Sequence, residues 1–172
     1  MLNPENEDQI ALRRWITSGL QIPEVRNLNG DAGYLFSNMI AKYTLAASVY
    51  RISSVALRWF HSNNVDLSVE YARSRFYGKG SPLMYEHSIP ASVIRSLLLK
   101  ADSREETVRD ILSQSGYVVV VMRSEDEALS SHGLARKMPD SWCFGDNPFA
   151  RYEMAGIELS NAFLKVKGKI QR

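Results

Sequence analysis

The sequence predicts an α+β fold that is mostly helical and contains few strands. In the first half of the chain, apolar residues recur at three-and-four spacing, which is typical of helices that bury one side. The second half has shorter apolar runs separated by capping and turn signals, and the β-branched run at 117–122 predicts a strand. With 172 residues, of which 45% are hydrophobic, the chain is long enough for one domain with its own core.

The first half predicts a helical part over about residues 1–77. Residues 10–20 have helical spacing, and Gly19 with Pro23 indicates where that helix stops. Residues 33–61 contain no proline and place apolar side chains at i, i+3, i+4 and i+7, which predicts one long helix, or two abutting helices, as the spine of the fold. Residues 67–76 predict a further short helix, and the Gly-Lys-Gly-Ser-Pro run at 78–82 predicts a loop.

The second half predicts an α+β part over about residues 82–164. A short apolar stretch at 83–85 precedes a helix over 93–99, and Pro90 suits the first turn of that helix. Capping boxes at 103–106 and 124–127 predict helices that end near Gly116 and Gly133. The strand at 117–122 is expected in the middle of a small sheet, 137–148 as a loop, and 157–159 and 163–166 as further strands.

The excess positive charge lies at the C-terminus. The net charge is +2, but without Lys165, Lys167, Lys169 and Arg172 the chain has 17 basic and 19 acidic side chains. Residues 165–172 therefore form a basic tail, in which Lys165 and Lys167 are candidate phosphate contacts. A solvated, frayed end that carries lysines is the alternative.

A second stretch, at 71–84, contains no acidic residue. It interleaves cations with aromatic rings: Arg73, Arg75 and Lys79 with Tyr71, Phe76 and Tyr77. Cations neutralise phosphates and rings stack on bases, so the composition favours a nucleic-acid groove with Arg73, Arg75 and Lys79 as contacts. A helix end with a charged outer face explains the same pattern.

Composition and motifs exclude several classes of protein. The single cysteine, Cys143, excludes a disulfide within the chain, and no apolar run approaches the ~18 residues of a membrane helix. We therefore expect a cytoplasmic protein without a membrane partner. The sequence has no Walker loop, no dinucleotide-binding glycine fingerprint, no zinc-binding cysteine pair and no HExxH motif.

The run Glu-His-Ser-Ile-Pro at 86–90 resembles the opening of the ββα-metal finger of HNH, or His-Me finger, endonucleases. The resemblance implies that His87, beside Glu86, activates water for attack on phosphorus. It also implies one divalent cation, Mg²⁺ or Mn²⁺, that stabilises the leaving oxygen. The nearest substitutes for the family's downstream metal ligands are His132, Asp146 and Asn147, which only loop folding can bring to His87.

The segment 145–152 is a further cluster of interest. Asp146 and Asn147 before Pro148 are ordinary turn chemistry, although Asp146 could also bind a metal. Arg151 is a candidate phosphate contact, because a guanidinium can hold a phosphate through two hydrogen bonds. The aromatic residues around this segment fit either a satellite core or an interaction surface: Trp142, Phe144, Phe149 and Tyr152.

Two functions follow from these patterns. The first is a metal-dependent HNH-like nuclease, or a degenerate relative, that acts on nucleic acid with Mg²⁺ or Mn²⁺. The second needs no cofactor: a non-catalytic interaction protein, such as a phage or mobile-element accessory factor, that binds a host nucleoprotein or defence complex. Nucleic-acid binding without chemistry is a third reading, and it predicts salt-sensitive binding that depends on Arg73 and Arg75.

Overall fold

A mixed five-stranded sheet organises the residues that the computed structural model describes, 4–27 and 30–167. The helices are α1 (Glu7–Leu20), α2 (Gly30–Leu45), α3 (Ser54–Ser62), α4 (Ala91–Lys100), α5 (Glu105–Ser115), α6 (Arg123–Ser131) and α7 (Ala150–Met154). The strands are β1 (Val49–Ser53), β2 (Glu70–Ala72), β3 (Leu83–His87), β4 (Val118–Met122) and β5 (Leu159–Lys167). Short 3₁₀ helices cover Pro23–Asn27 and Arg73–Arg75. The predicted α+β class is confirmed.

The strand order is β2-β5-β1-β4-β3. Strand β1 runs parallel to β4 and antiparallel to β5, while β2 is parallel to β5 and β3 is antiparallel to β4. Strand β4 is therefore an interior strand, as its β-branched sequence predicts, and its residues 118–121 are all buried.

Alternation along the strands divides the sheet residues between two faces. One face packs on α3, with a core of Tyr50, Ile52, Ala56, Phe60, Phe76, Leu83, Tyr85, Val118, Val120, Leu164 and Val166. The other face is covered over β3 and β4 by α6 and α7, with Val119, Val121, Leu129, Leu134, Tyr152 and Ile157 in its core. The two cores together bury residues 118–121 of β4, whereas β5 is buried on one face only and therefore alternates between buried and exposed residues.

The third core belongs to the helices α1, α2, α4 and α5, which pack together beside the sheet. A polar cluster fastens α1 to its neighbours: Arg13 donates to Glu5 at 2.9 Å and also pairs with Glu105 at the start of α5. Tyr43 of α2 donates to the same Glu5 at 2.8 Å. Burial raises the pKa of the Tyr43 phenol, so this hydroxyl stays a donor.

The predicted helical spine over 33–61 is wrong, because strand β1 lies between α2 and α3. The β-strand positions Tyr50 and Ile52 alternate with Arg51, so the buried side of this segment follows a period of two. Ser53 then caps α3, since its hydroxyl accepts from the backbone N–H of Ala56 at 3.0 Å. The short helix predicted over 67–76 is also replaced, by β2 and the 3₁₀ turn that follows.

Helices α1, α4, α5 and α6 and strand β4 confirm the predicted elements, with ends shifted by a few residues. The cap of α6 differs from the prediction, since Glu125 reaches back to the N–H of Met122 at 2.8 Å and also accepts from Ser53. The two C-terminal strand predictions correspond to the single strand β5. Lys165 and Lys167 are thus strand residues and not a frayed tail, whereas residues 168–172 lie outside the described part of the chain.

Candidate functional site

Glu86 and His87 lie at the end of β3 and belong to opposite faces of the sheet, as strand alternation requires. Glu86 accepts a hydrogen bond from Nη2 of Arg151 on α7 at 3.0 Å. Burial raises the pKa of Glu86, and the positive charge of Arg151 opposes that rise. The carboxylate is therefore occupied by an internal ion pair.

Arg151 connects α7 to the end of β3. Its side chain is only 1% exposed, and its N–H groups donate to the carbonyl of Ser88 at 3.2 Å and that of Leu134 at 2.9 Å. It also donates to the carbonyl of His87, which accepts a second bond from the Tyr152 hydroxyl at 2.9 Å. The prediction that Arg151 holds a phosphate is corrected: its donors are already used by the protein, and solvent does not reach them.

His87 is half-buried, on the opposite face of the strand from Glu86. Its Nδ1 is inaccessible and has no hydrogen-bond partner among the described residues. Burial, together with the nearby charge of Arg151, lowers the pKa of His87 from 6.5 to about 4. An imidazole with that pKa is a weak proton acceptor at neutral pH.

Asp146 and Asn147 stabilise the loop that contains them. The carboxylate of Asp146 accepts from the N–H of Cys143 at 2.8 Å. The side-chain oxygen of Asn147 accepts from the N–H of Phe149 at 3.0 Å, and its amide donates to Glu153 at 2.7 Å. These are the turn interactions that the sequence offers as the alternative to a metal role.

His132 lies at the C-terminal end of α6, where its Nδ1 is 2.8 Å from the carbonyl oxygen of Ala128. It acts there as part of the helix end. Within residues 4–27 and 30–167, no group of three or more histidine, cysteine or acidic side chains is arranged to hold a metal ion. The residues offered as ligands therefore do not fit Mg²⁺ or Mn²⁺.

The acid-free stretch 71–84 divides into buried rings and exposed cations. Phe76 is buried, with its ring centroid 5.0 Å from that of Tyr71, whereas Tyr77 is exposed. Arg75 lies over the Phe76 ring at 6.0 Å, and Lys79 is exposed in the following loop. The stretch therefore keeps a positive surface, whereas the rings of Tyr71 and Phe76 pack against each other.

The β5 side of the sheet supplies a surface that the sequence only partly indicated. Residues at alternate positions of β5 are exposed on the face that α6 and α7 leave open, among them Phe163, Lys165 and Lys167. Phe163 is 45% exposed. Its register partner is Arg51 of β1, which brings a cation beside the ring.

Arg51 lies between two aromatic rings. Its guanidinium carbon is 5.2 Å from the centroid of Phe149 and 5.5 Å from that of Phe163. One N–H donates to the carbonyl of Ser160 at 3.1 Å, while the buried Nε has no hydrogen-bond partner in the described part of the chain. Cation–π geometry of this kind holds the guanidinium and the rings in a fixed arrangement.

A cavity of about 250 Å³ opens beside this group, and Tyr117 and Pro148 complete its wall. Its described lining residues include Arg51 and aromatic rings, and none of them is acidic. The acidic residue on the neighbouring strand is Glu70, the register partner of Lys165. We call the surface formed by Arg51, Tyr117, Phe149, Phe163, Lys165 and Lys167 the open-sheet surface.

Sequence reasoning missed Arg51 because it was assigned to a continuous helix. The signal that could have found it is the alternation over 49–53, in which an arginine separates two apolar positions. The alternation of Phe163, Lys165 and Lys167 was equally present in the sequence, but it was interpreted as a short strand followed by a tail.

A third feature is an apolar groove of about 340 Å³ between α1 and α2, lined by residues that include Trp15, Ile22, Leu35 and Met39. Trp15 and Leu35 are largely exposed. Within the described ranges, none of the helices combines the length and the apolar character needed to span a membrane. The binding of a protein partner stays a prediction.

Comparison of the chain with protein-family models, with curated proteins and with solved structures gives no match. The function is therefore argued from the geometry of this molecule.

Proposed function

We propose that this protein binds single-stranded nucleic acid on the open-sheet surface. The observation that carries the proposal is the position of Arg51, held between the rings of Phe149 and Phe163 on the sheet face beside the core that α6 and α7 form. Aromatic rings and a guanidinium on one accessible surface are the groups that contact unpaired bases and their phosphates.

The geometry favours a single strand over a duplex. Phe163 has an exposed ring, and a base can stack on an aromatic ring only when it is free of its own partner. Alternate residues on a strand lie about 6.6 Å apart, so Phe163, Lys165 and Lys167 form a line along β5. A base stacked on Phe163 would place its backbone phosphates along the two lysines.

The charge of the surface is positive but moderate. Arg51, Lys165 and Lys167 contribute three cations, and Glu70 opposite Lys165 offsets part of that charge. The ammonium of Lys165 also donates to the carbonyl of Ser68 at 3.2 Å, which fixes its direction. Few phosphate contacts imply that affinity depends only weakly on salt concentration. Each contact with a single strand contributes about 0.7 to the slope of log affinity against log salt.

Binding without hydrolysis fits the end of β3 better than nuclease action does. Glu86 is paired with Arg151, and His87 is half-buried with a pKa lowered to about 4, so the carboxylate is occupied and the imidazole is a weak base at neutral pH. Nuclease activity stays a prediction with a direct test: incubation with plasmid DNA and Mg²⁺ or Mn²⁺. Cleavage that disappears in His87→Ala would overturn the proposal of binding without chemistry.

The proposal is tested by fluorescence anisotropy with a labelled single-stranded oligonucleotide that has a 5′-hydroxyl end. We expect saturable binding that Phe163→Ala weakens about tenfold, because one stacked base is worth roughly 1–3 kcal/mol. Arg51→Gln should weaken binding to a similar degree. Tyr34→Ala, which removes an exposed ring from α2, is the matched control and should leave the affinity unchanged.

Two outcomes would count against the proposal. Equal affinity for the single strand and for a duplex of the same sequence would remove the role of stacking. An equal loss in Phe163→Ala and Tyr34→Ala would place binding elsewhere on the molecule. Thermal melting of each variant establishes that the fold is retained.

A further inference from the structure

A separate cavity of about 330 Å³ lies between the end of α2 and the segment that follows β2. It is lined by Lys42, Leu45, Arg73, Ser74, Tyr77 and Tyr85. Tyr85 belongs to the face of the sheet that packs on α3, whereas Arg51 belongs to the opposite face. The cavity is thus distinct from the open-sheet surface, and its volume is within the roughly 300–1,000 Å³ typical of small-molecule sites.

Two tyrosines with stacked rings line this cavity. The rings of Tyr77 and Tyr85 are stacked, with centroids 5.4 Å apart and an angle of 22° between their planes. Tyr85 is held in turn by an edge contact with Tyr50, 5.1 Å between centroids. Tyr77 is 54% exposed, so the outer ring of this fixed stack is available to a flat ligand.

Two cations line the same cavity. Lys42 comes from the last turn of α2, and Arg73 comes from the 3₁₀ turn after β2. Arg73 is positioned by the Tyr50 hydroxyl, which itself donates to the carbonyl of Leu45 at 2.7 Å. Burial raises the pKa of Tyr50 to about 12 although Arg73 opposes the rise, so the phenol stays neutral at physiological pH.

Among the described residues that line the cavity, none carries a carboxylate side chain. An acidic wall would repel a phosphate, and a wholly apolar one would have no means of binding it. A flat aromatic surface next to two cations is complementary to a planar base joined to a phosphate, since the base stacks while the cations neutralise the phosphate.

We infer that this cavity binds a nucleotide with a terminal phosphate, its base against Tyr77 and its phosphate between Lys42 and Arg73. The same chemistry is offered by a free nucleoside monophosphate and by the 5′-phosphorylated end of a strand. The inference does not depend on the open-sheet surface, because no residue is shared between the two sites.

Isothermal titration calorimetry with AMP tests the inference, with adenosine and inorganic phosphate as the two partial ligands. We expect AMP to bind at least about tenfold more tightly than either part, since each part lacks one of the two contacts. Inorganic phosphate that binds as tightly as AMP would overturn the inference, because the Tyr77 ring would then add nothing to the affinity.

Variants locate the site. Tyr77→Ala and Lys42→Gln should each weaken AMP binding about tenfold, and both residues are at the surface of the cavity, so the fold should tolerate the changes. Arg75→Gln is the matched control. It removes a cation from the 3₁₀ turn that contains Arg73, but Arg75 lies over the Phe76 ring and is not among the residues that line the cavity. Equal losses in Lys42→Gln and Arg75→Gln would overturn the assignment.

The source of the phosphate is resolved in the Phe163→Ala background, which weakens the open-sheet surface. If the Phe163→Ala variant binds a 5′-phosphorylated oligonucleotide but not its 5′-hydroxyl counterpart, and binds AMP more weakly than the phosphorylated strand, the ligand is a strand end. If AMP binds as well as the phosphorylated strand, the ligand is a free nucleotide. If none of these probes binds, the inference fails, whatever the outcome for the open-sheet surface in the native chain.

Discussion

Arg151 and Arg51 are two arginines in contrasting surroundings. Arg151 is buried, and carbonyl oxygens and the Glu86 carboxylate use its donors. Arg51 lies between two aromatic rings at an open part of the sheet, and its guanidinium donates to the carbonyl of Ser160. The difference shows that the partners of a guanidinium, and not its presence, distinguish a structural arginine from a binding one.

The largest expected difference concerns stability. Arg151→Met should lower the free energy of unfolding by about 3–5 kcal/mol, because it leaves the Glu86 carboxylate and several carbonyls buried without donors. Arg51→Met should lower it by no more than about 1 kcal/mol, since the rings still pack on the side chain. Urea unfolding followed by circular dichroism measures both. Similar losses in the two variants would erase the contrast.

The second prediction concerns acid and the region around Arg151. The pKa of His87 is lowered from 6.5 to about 4 in the folded protein, so the unfolded chain takes up a proton at a higher pH than the folded one. Its contribution to stability is therefore complete above pH 6.5 and is lost as the pH falls towards 4, by about 3 kcal/mol.

The matched measurement is the same titration of stability on His87→Gln. Carboxylates also titrate in this range, so the difference between the two proteins isolates the imidazole. The variant should show a smaller fall between pH 6.5 and 4 than the native chain. Parallel curves would mean that His87 is hydrated and accessible, which would restore its candidacy as a base.

The smallest effect concerns the lysines of the open-sheet surface. Lys165→Gln and Lys167→Gln should each reduce the slope of log affinity against log salt by about 0.7, the value for one phosphate contact of a single strand. Lys79→Gln, in the loop after β2, is the control and should leave the slope unchanged. An unchanged slope in the β5 variants would remove these lysines from the interface.

The sequence predicted the fold class because most elements carry local signals. The run at 117–122 is rich in β-branched residues, which indicates a strand. Helix α4 begins directly after Pro90, and helices α5 and α6 begin with acidic first turns. Strand β1 was missed because its apolar residues also fit helical spacing when they are joined to those of α2 and α3. Pairing with β4 and β5 decides the matter, and pairing is a tertiary property.

The candidate site was harder to predict than the fold. Glu86 and His87 were identified as a candidate pair, but nothing local shows that Arg151, 65 positions away from Glu86, would occupy the carboxylate. Lys165 and Lys167 were identified as basic, yet their alignment with Phe163 on one face depends on the extension of β5. Arg51 and Phe149 meet only because the loop before α7 returns to the sheet.

Photo-crosslinking of a thymidine-rich single strand with a 5′-hydroxyl end, followed by mass spectrometry of the peptides, tests the central claim most directly. Binding on the open-sheet surface predicts crosslinks at Phe163 and at the aromatic residues of its cavity wall, Phe149 and Tyr117. These crosslinks should decline in Arg51→Gln. Crosslinks confined to the α1 and α2 groove or to the Tyr77 cavity, with none in β5, would contradict it.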